Sequence, residues 1–222
     1  SGRFRNLYPT EFVVRWLKGS YPKWSFPEPR RSGNALDLGF GDGRNIQLLV
    51  DSGFEVHGVE ISGQIVDSFH ANTDNYFAPQ NFKVGENANI PFHDCFFDVV
   101  IACHSIYYLR EEHNLETNFT EVARCLKQGG LLLFSIPTKD SYLIQKSEQL
   151  DANHVTVKHD PLGIRNGIKI GFAASEKDIM SLTEDYFDHV SVAKCQNDWW
   201  GIEEFCWVVS CKRNDVKWKK KL

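Results

Sequence analysis

The sequence predicts an α/β fold, an open and largely parallel sheet with helices on both faces, and three observations carry that expectation. A short apolar strand at 34–38 passes through Gly39, Gly41 and Gly43 into a segment whose apolar residues fall at Ile46, Leu49 and Val50. The same strand-then-helix alternation recurs between 54 and 69. The run 96–103, Phe-Phe-Asp-Val-Val-Ile-Ala-Cys, is almost continuously apolar, as a central parallel strand covered on both faces requires.

Composition bounds the function. With 222 residues and 42% hydrophobic content, the chain can bury one good core, so a single domain is expected over 1–222. A net charge of -4 and a pI near 6.1 exclude a protein that grips nucleic acid by neutralising phosphates. No apolar run approaches the roughly 20 residues of a membrane span, and the first residues lack the apolar core of a signal peptide. Cys95, Cys103, Cys125, Cys195, Cys206 and Cys211 contain no Cys-x-x-Cys pair and read as reduced thiols, which makes a cytoplasmic location the expectation. The lysines of 217–221 read as a solvated tail.

Taken in order, Thr10 precedes apolar residues at 12, 13, 16 and 17 and is expected to cap a helix. Pro22, Pro27 and Pro29 break it, and the helix either packs on the sheet or forms a lid. At the glycine turn, a dinucleotide fingerprint needs its third glycine where Arg44 stands; here it is Gly43. Asp37, two residues ahead of Gly39, would repel a pyrophosphate and suits a cationic ammonium. Ser52-Gly53 ends the following helix, and strand 54–60 finishes in Glu60, near the spacing at which a nucleotide-binding acid accepts ribose hydroxyls. Ser62 is expected to cap a helix carrying Ile65, Val66 and Phe69. A third strand at 82–84 leads into a polar loop through Glu86 and Asn87. The central strand ends in His104-Ser105-Ile106-Tyr107-Tyr108, and polar groups just beyond such a strand face the ligand crevice of an open sheet.

The helix carrying Leu115, Phe119, Val122, Ala123 and Leu126 is expected to stop at Gly129-Gly130, ahead of a strand at 131–136. The rhythm then fails. Over 137–172 there are only β-like pieces at 155–157 and 168–170, with Asn166-Gly167 as a turn signal. A connection this long is usually functional, so it reads as a substrate-facing insertion, with a plain surface hairpin as the alternative. Ser175 to Asp178 has the form of a capping box, the helix carries Ile179, Leu182 and Tyr186, and strands near 190–195 and 205–211 close the chain.

The phrase Asp37-Leu38-Gly39-Phe40-Gly41-Asp42-Gly43 resembles the first motif of the class I S-adenosylmethionine (SAM)-dependent methyltransferases, of the type 11 kind. Leu126-Lys127-Gln128-Gly129-Gly130 resembles a turn of the same family. The resemblance implies a Rossmann-like seven-stranded sheet, parallel with one antiparallel edge strand. It also implies a lid segment over 1–30, a cofactor-binding core over 34–136, the insertion over 137–172 after strand five, and C-terminal helix and strands over 173–222. SAM is the implied cofactor and S-adenosylhomocysteine the product. Asp37, Gly39, Phe40 and Gly41 would lie at the amino-acid end, Glu60 and Ile61 at the ribose, and Glu86 and Asn87 at the adenine, although Asp is commoner than Glu at the place of Glu86. His104 would stand where methyl group and acceptor meet, and a closing lid would bring Tyr8 or Arg15 to the cofactor carboxylate. A fainter likeness, carried by residues 8–15 and by Arg165-Asn166-Gly167, is to small-molecule methyltransferases encoded with bacterial surface-polysaccharide genes. It implies a sugar or related hydroxylated metabolite as acceptor.

Methyl transfer from a sulfonium neutralises charge, so positioning, about 7–11 kcal/mol, outweighs a general base, about 10² to 10⁴ in rate. An alcohol must still lose a proton, and His104 is the candidate base, with Tyr107 orienting the acceptor and His154 and His159 as alternatives. No His-x-x-x-His pair or ligand cluster stands out, so no metal is expected. Trp199-Trp200 with Trp207 forms either a sugar-stacking platform or edge-of-core packing. His104-Ser105-Ile106-Tyr107 replaces the Asn/Asp-Pro-Pro-aromatic motif of base-amine methyltransferases. Two other readings stay open, a catalytically inactive SAM-binding partner subunit and a nicotinamide-dependent oxidoreductase. The glycine spacing and Asp37 disfavour the second.

Overall fold

The computed structural model describes residues 8–27, 32–73, 76–110 and 112–214; Pro29 and the lysines of 217–221 lie outside the described residues. In chain order the elements are α1 (Glu11–Lys18), β1 (Ser20–Tyr21), β2 (Trp24–Ser25), β3 (Asn34–Leu38), α2 (Ile46–Asp51), β4 (Glu55–Glu60) and α3 (Gly63–Asn72). There follow β5 (Phe82–Val84), β6 (Phe97–Ala102), β7 (Tyr108–Leu109), α4 (Leu115–Cys125), β8 (Leu126–Pro137) and α5 (Tyr142–Gln145). The chain continues with β9 (Glu148–Gln149), β10 (His154–Thr156), β11 (Lys169–Gly171), α6 (Glu176–Thr183), β12 (Phe187–Trp199) and β13 (Ile202–Arg213).

The main sheet has seven strands in the order β12-β13-β8-β6-β3-β4-β5. Strands β5, β4, β3, β6 and β8 run parallel, whereas β13 is antiparallel to both of its neighbours. The reversed strand is therefore second from the edge, not at the edge as expected. The chain crosses to the outer position to lay down β12 and returns through a Trp200-Gly201 turn, so β13 fills the place beside β8. From β3 the chain winds outward through β4 and β5, then returns to place β6 on the other side of β3. That reversal puts the carboxyl ends of β3, β4 and β6 around one crevice.

Strand alternation sorts the core into two layers. Leu36, Leu38, Val100 and Ala102 pack with Phe119, Val122 and Ile179 on one face. Ala35, Val99, Ile101, Leu131 and Leu133 pack with Val13, Trp16, Ile46, Leu49 and Phe69 on the other. Helix α1 thus belongs to the core, and Trp16 Nε1 donates to Ser210 Oγ at 2.7 Å. Its expected cap is not made: the Thr10 side chain bonds no helix N–H, and its backbone N–H goes instead to Asn45 Oδ1. Ser62 likewise precedes α3 without a side-chain cap, whereas the Ser175–Asp178 capping box forms.

Gly129-Gly130 does not terminate α4, which ends at Cys125. The glycines lie within β8, where the register with β6 jumps from Phe97↔Leu126 to Val99↔Leu131 and the intervening residues loop out. Lys127 Nζ reaches Asp98 across this irregularity at 2.7 Å. In the insertion, β10 and β11 pair as the two expected β pieces, and β11 also pairs with β7, giving a second sheet in the order β7-β11-β10-β9. Because β7 follows closely on β6, this pairing ties the insertion to the mouth of the crevice. The C-terminal strands run longer than expected because their outer ends, such as Gln196-Asn197-Asp198, are exposed and carry no apolar signal. Among the described residues no helix is long and apolar enough to cross a membrane, and no group of three His, Cys, Asp or Glu is placed to hold a metal.

Candidate active site

The bend after β3 determines the site's shape. Gly39 has φ +73°, and a Cβ there would stand 2.5 Å from the Ser105 Cβ, so backbone and neighbouring loop meet with no room for a side chain. Gly41 has φ +54°, and a Cβ there would meet nothing within 4 Å, which leaves an open approach to the backbone. Glu60, at the end of β4, joins the two loops: its Oε2 accepts from Gly41 N at 3.1 Å and its Oε1 from Ile61 N at 2.8 Å. Both oxygens keep lone pairs for further donors, the chemistry that a pair of ribose hydroxyls requires.

Asp37 lies behind this bend, 1% exposed, with its Oδ2 lacking any hydrogen-bond partner. Burial raises its pKa to about 7; Asn45 opposes the shift, Glu60 and Asp42 add to it, and Arg44 offsets part of it. A buried carboxylate with an orphaned oxygen is complementary to a bound cation. The unpartnered Asp37 oxygen behind the glycine bend fits the ammonium end of SAM.

A cavity of about 660 Å³ opens from the bend and is lined by Gly39, Glu60, Ile61, Glu86, Asn87 and His104, among others. That size suits a small-molecule ligand. Glu86 faces it and is paired with Arg110 at 2.9 Å and approached by His113 at 3.7 Å. Asn87 uses its amide N–H groups on Ser105 O (2.8 Å) and Tyr108 O (3.2 Å), so it fastens the loop after β6 while its Oδ1 stays available. Phe40 is turned away: it is 3% exposed and packs on Phe69 and Phe82, so only its backbone borders the bend.

His104 ends the central strand with φ +53° and donates its backbone N–H to Ser135 Oγ at 2.8 Å. Its ring lines the cavity, 5.6 Å from the Phe12 ring edge-on and with Nε2 3.9 Å from Glu204. Burial holds its pKa below 6.5, Glu204 opposes that, and Arg165 and Arg44 reinforce it. The imidazole is therefore neutral at neutral pH and able to take a proton. Tyr107 is 2% exposed within the core and does not line the cavity; Tyr108, its ring tilted against that of Tyr107 at 4.8 Å, takes that place.

Several expected residues lie elsewhere. His159 is exposed, and His154 bonds Asp151 while its Nε2 is buried; neither lines the cavity. Arg15 is paired with Glu11 and Tyr8 is 85% exposed. The three tryptophans form no single platform: Trp199 and Trp200 sit at the hairpin tip, and Trp207 is 8% exposed and bonds Ala173 O. Sequence reasoning gave Tyr108 and Arg165 no role of their own and did not mark Glu204. Arg165 stood beside the Asn166-Gly167 turn signal, but only the pairing of β11 with β7 shows that this turn returns to the site.

Comparisons with known proteins agree with the fold. Residues 36–134 match the family model described as a methyltransferase domain. A Bacillus subtilis protein named "Putative methyltransferase YqeM" is 32% identical over 58% of this chain and 49% of its own length, so the chain spans about half of that relative. Among solved structures, a SAM-dependent methyltransferase of Methanosarcina mazei superposes with TM-score 0.68 at 17% identity, covering 94% of this chain and 99% of that one. The N-methyltransferase NodS of Bradyrhizobium japonicum, solved with S-adenosylhomocysteine, gives 0.57 at 13% identity, covering 82% and 78%.

Proposed function

We propose that this chain, whose residues 36–134 match a methyltransferase domain, is a class I SAM-dependent methyltransferase that moves the methyl group of SAM to a hydroxyl of a small-molecule acceptor, a sugar or related metabolite. The observation that carries the reading is His104, a neutral imidazole at the end of the central strand, lining the same cavity as Gly39 and Glu60. Gly39, Gly41, Asp37 and Glu60 would hold the amino-acid and ribose parts of SAM, with Glu86 and Asn87 toward the adenine. Bound SAM supplies an electrophilic methyl group on a sulfonium.

The chain's own residues orient the acceptor and manage its proton. The His104 imidazole accepts the hydroxyl proton, and the Glu204 carboxylate at 3.9 Å favours the imidazolium that results. Phe12 packs edge-on against the His104 ring, and Ile164, Arg165 and Ile168 of the insertion line the cavity beside it. The six free cysteines suit a reducing, cytoplasmic setting.

The test is His104→Asn assayed with labelled SAM against an acceptor screen. Turnover is expected to fall about 10² to 10⁴-fold while S-adenosylhomocysteine affinity is kept. Unchanged turnover removes His104 from proton transfer. Binding of S-adenosylhomocysteine with no methylation of any acceptor favours the inactive-subunit reading.

A further inference from the structure

The part of the cavity built by the insertion carries a guanidinium whose hydrogen bonds are only partly used. Arg165 Nε donates to Tyr108 Oη at 2.8 Å, and Nη1 lies 3.4 Å from both Tyr142 Oη and Asp160 Oδ2. Its Nη2 has no protein acceptor among the described residues, although the side chain is only 21% exposed. The one carboxylate in contact is heavily committed. Asp160, with a fully buried side chain, accepts backbone N–H bonds from Leu162 (3.1 Å), Ile164 (3.2 Å) and Arg165 (3.0 Å). Its charge is thus largely absorbed by the 160–165 loop, and the ion pair to Arg165 is long.

Two phenol oxygens and that loop fix the direction of the guanidinium. Asp160 N also donates to Asn166 Oδ1, and Gly167 N to Val157 O, so the turn carrying Arg165 is closed on itself. With Nε and Nη1 engaged, the N–H groups of Nη2, on an arginine that lines the cavity, are left as charged donors for an oxyanion. The guanidinium is separate from the acidic groups that face the cofactor end, Glu60 and Glu86, and it shares the cavity with His104.

Building on the methyl-transfer reading of this cavity, we propose that Arg165, oriented by Tyr108 and Tyr142, binds a carboxylate or phosphate group of the acceptor, so that the substrate is an acidic hydroxylated metabolite and not a neutral one. Arg165 is then a specificity-determining residue that anchors the acceptor while its hydroxyl lies at His104.

The experiment uses the full chain loaded with S-adenosylhomocysteine and matched probes: D-glucuronate and D-glucose 6-phosphate, each against neutral D-glucose, with 3-hydroxybutyrate against its amide. Binding is followed by ligand-observed NMR in wild type, Arg165→Gln, Arg165→Lys and Tyr142→Phe. An acid member is expected to bind wild type about tenfold to a hundredfold tighter than its neutral partner. That preference should vanish in Arg165→Gln and survive in part in Arg165→Lys, with S-adenosylhomocysteine affinity unchanged in all variants. Whether the carboxylate or the phosphate probe leads identifies the anion. Tyr142→Phe, which leaves the 160–165 loop intact, should weaken the preference without a loss of melting temperature. Equal binding of acid and neutral members, no binding by any acid, or a preference that persists in Arg165→Gln overturns the proposal. So does a loss of S-adenosylhomocysteine affinity confined to Arg165→Gln, which would place the arginine on the cofactor. Failure of wild type itself to bind S-adenosylhomocysteine would instead sink the methyl-transfer reading on which this rests.

Discussion

Replacing Asp37 by asparagine separates folding from function in opposite directions. In the ligand-free protein this carboxyl titrates at about 7 instead of its usual 3.8, chiefly because it is buried. A group whose folded-state pKa is raised contributes stability that is fully present below its unfolded pKa and is lost as pH rises through the folded value. Each pH unit across that window corresponds to ~1.4 kcal/mol, so the ceiling at pH 8 is ~4 kcal/mol, with ~3 kcal/mol of it falling between pH 5 and 8. Urea denaturation of wild type and Asp37→Asn over that range should therefore diverge, the variant becoming the relatively more stable protein as pH rises. Cofactor binding should run the other way. An ammonium beside Asp37 favours the ionised carboxyl, so wild-type affinity for S-adenosylhomocysteine should fall up to ~10-fold for each pH unit below about 7, and Asp37→Asn should bind weakly without that dependence. Superimposable pH dependences of stability for the two proteins would refute the argument, whatever happens to binding.

Three further perturbations follow from the same geometry. Glu60→Ala removes the acceptor shared by Gly41 N and Ile61 N, and S-adenosylhomocysteine affinity measured by calorimetry should drop about tenfold to a hundredfold. Gly39→Ala sets a Cβ 2.5 Å from Ser105 at φ +73°, so the unfolding free energy should fall by about 2 kcal/mol or more, read by denaturant titration. His57 is 3% exposed among Phe92, Phe96 and Phe97, with Nδ1 unpartnered, and burial lowers its pKa below 6.5. Its folded-state value being depressed, stability is complete above the unfolded pKa and declines as pH falls through the folded one; His57→Leu should flatten that decline between pH 7 and 5 in the same titration.

The proposed cofactor half of the site is legible in the sequence because its parts are local. Asp37, the glycine bend and Glu60 lie within 24 residues of one another (37–60), and each leaves a mark in residue type and spacing. The acceptor half is not, because it is assembled by long-range pairing. Arg165 reaches the cavity through the β11–β7 ladder, and Glu204 reaches His104 only because β13 returns beside β8 in a particular register. Neither pairing has a local signature. The misplaced cap at Thr10 has the same origin: a tertiary acceptor, Asn45 Oδ1, engages the residue that a helix-only argument assigns to the helix. Tyr107 is buried in the turn ahead of β7 whereas Tyr108, the first residue of β7, meets the cavity, and sequence alone cannot choose between the two neighbours.

Local rules are broken where the site is, and that coincidence is independent of any motif. Among the described residues four non-glycines have positive φ: Cys95, His104, His189 and Trp200. Trp200 makes the hairpin turn, His189 lies in the register shift of β12 and Cys95 in the turn before β6, so each has a purely structural reason. His104 also lies in a turn, the one that leaves β6, and of the four it is the residue that lines the cavity. Asp37 is the matching violation in electrostatics, a desolvated carboxyl with an unpartnered oxygen at the end of β3. A positive φ at His104 and an unpartnered oxygen on Asp37 thus stand at the ends of two adjacent strands, where strand order reverses. A ligand that carries positive charge to Asp37 and an acceptor that gives its proton to His104 would account for both.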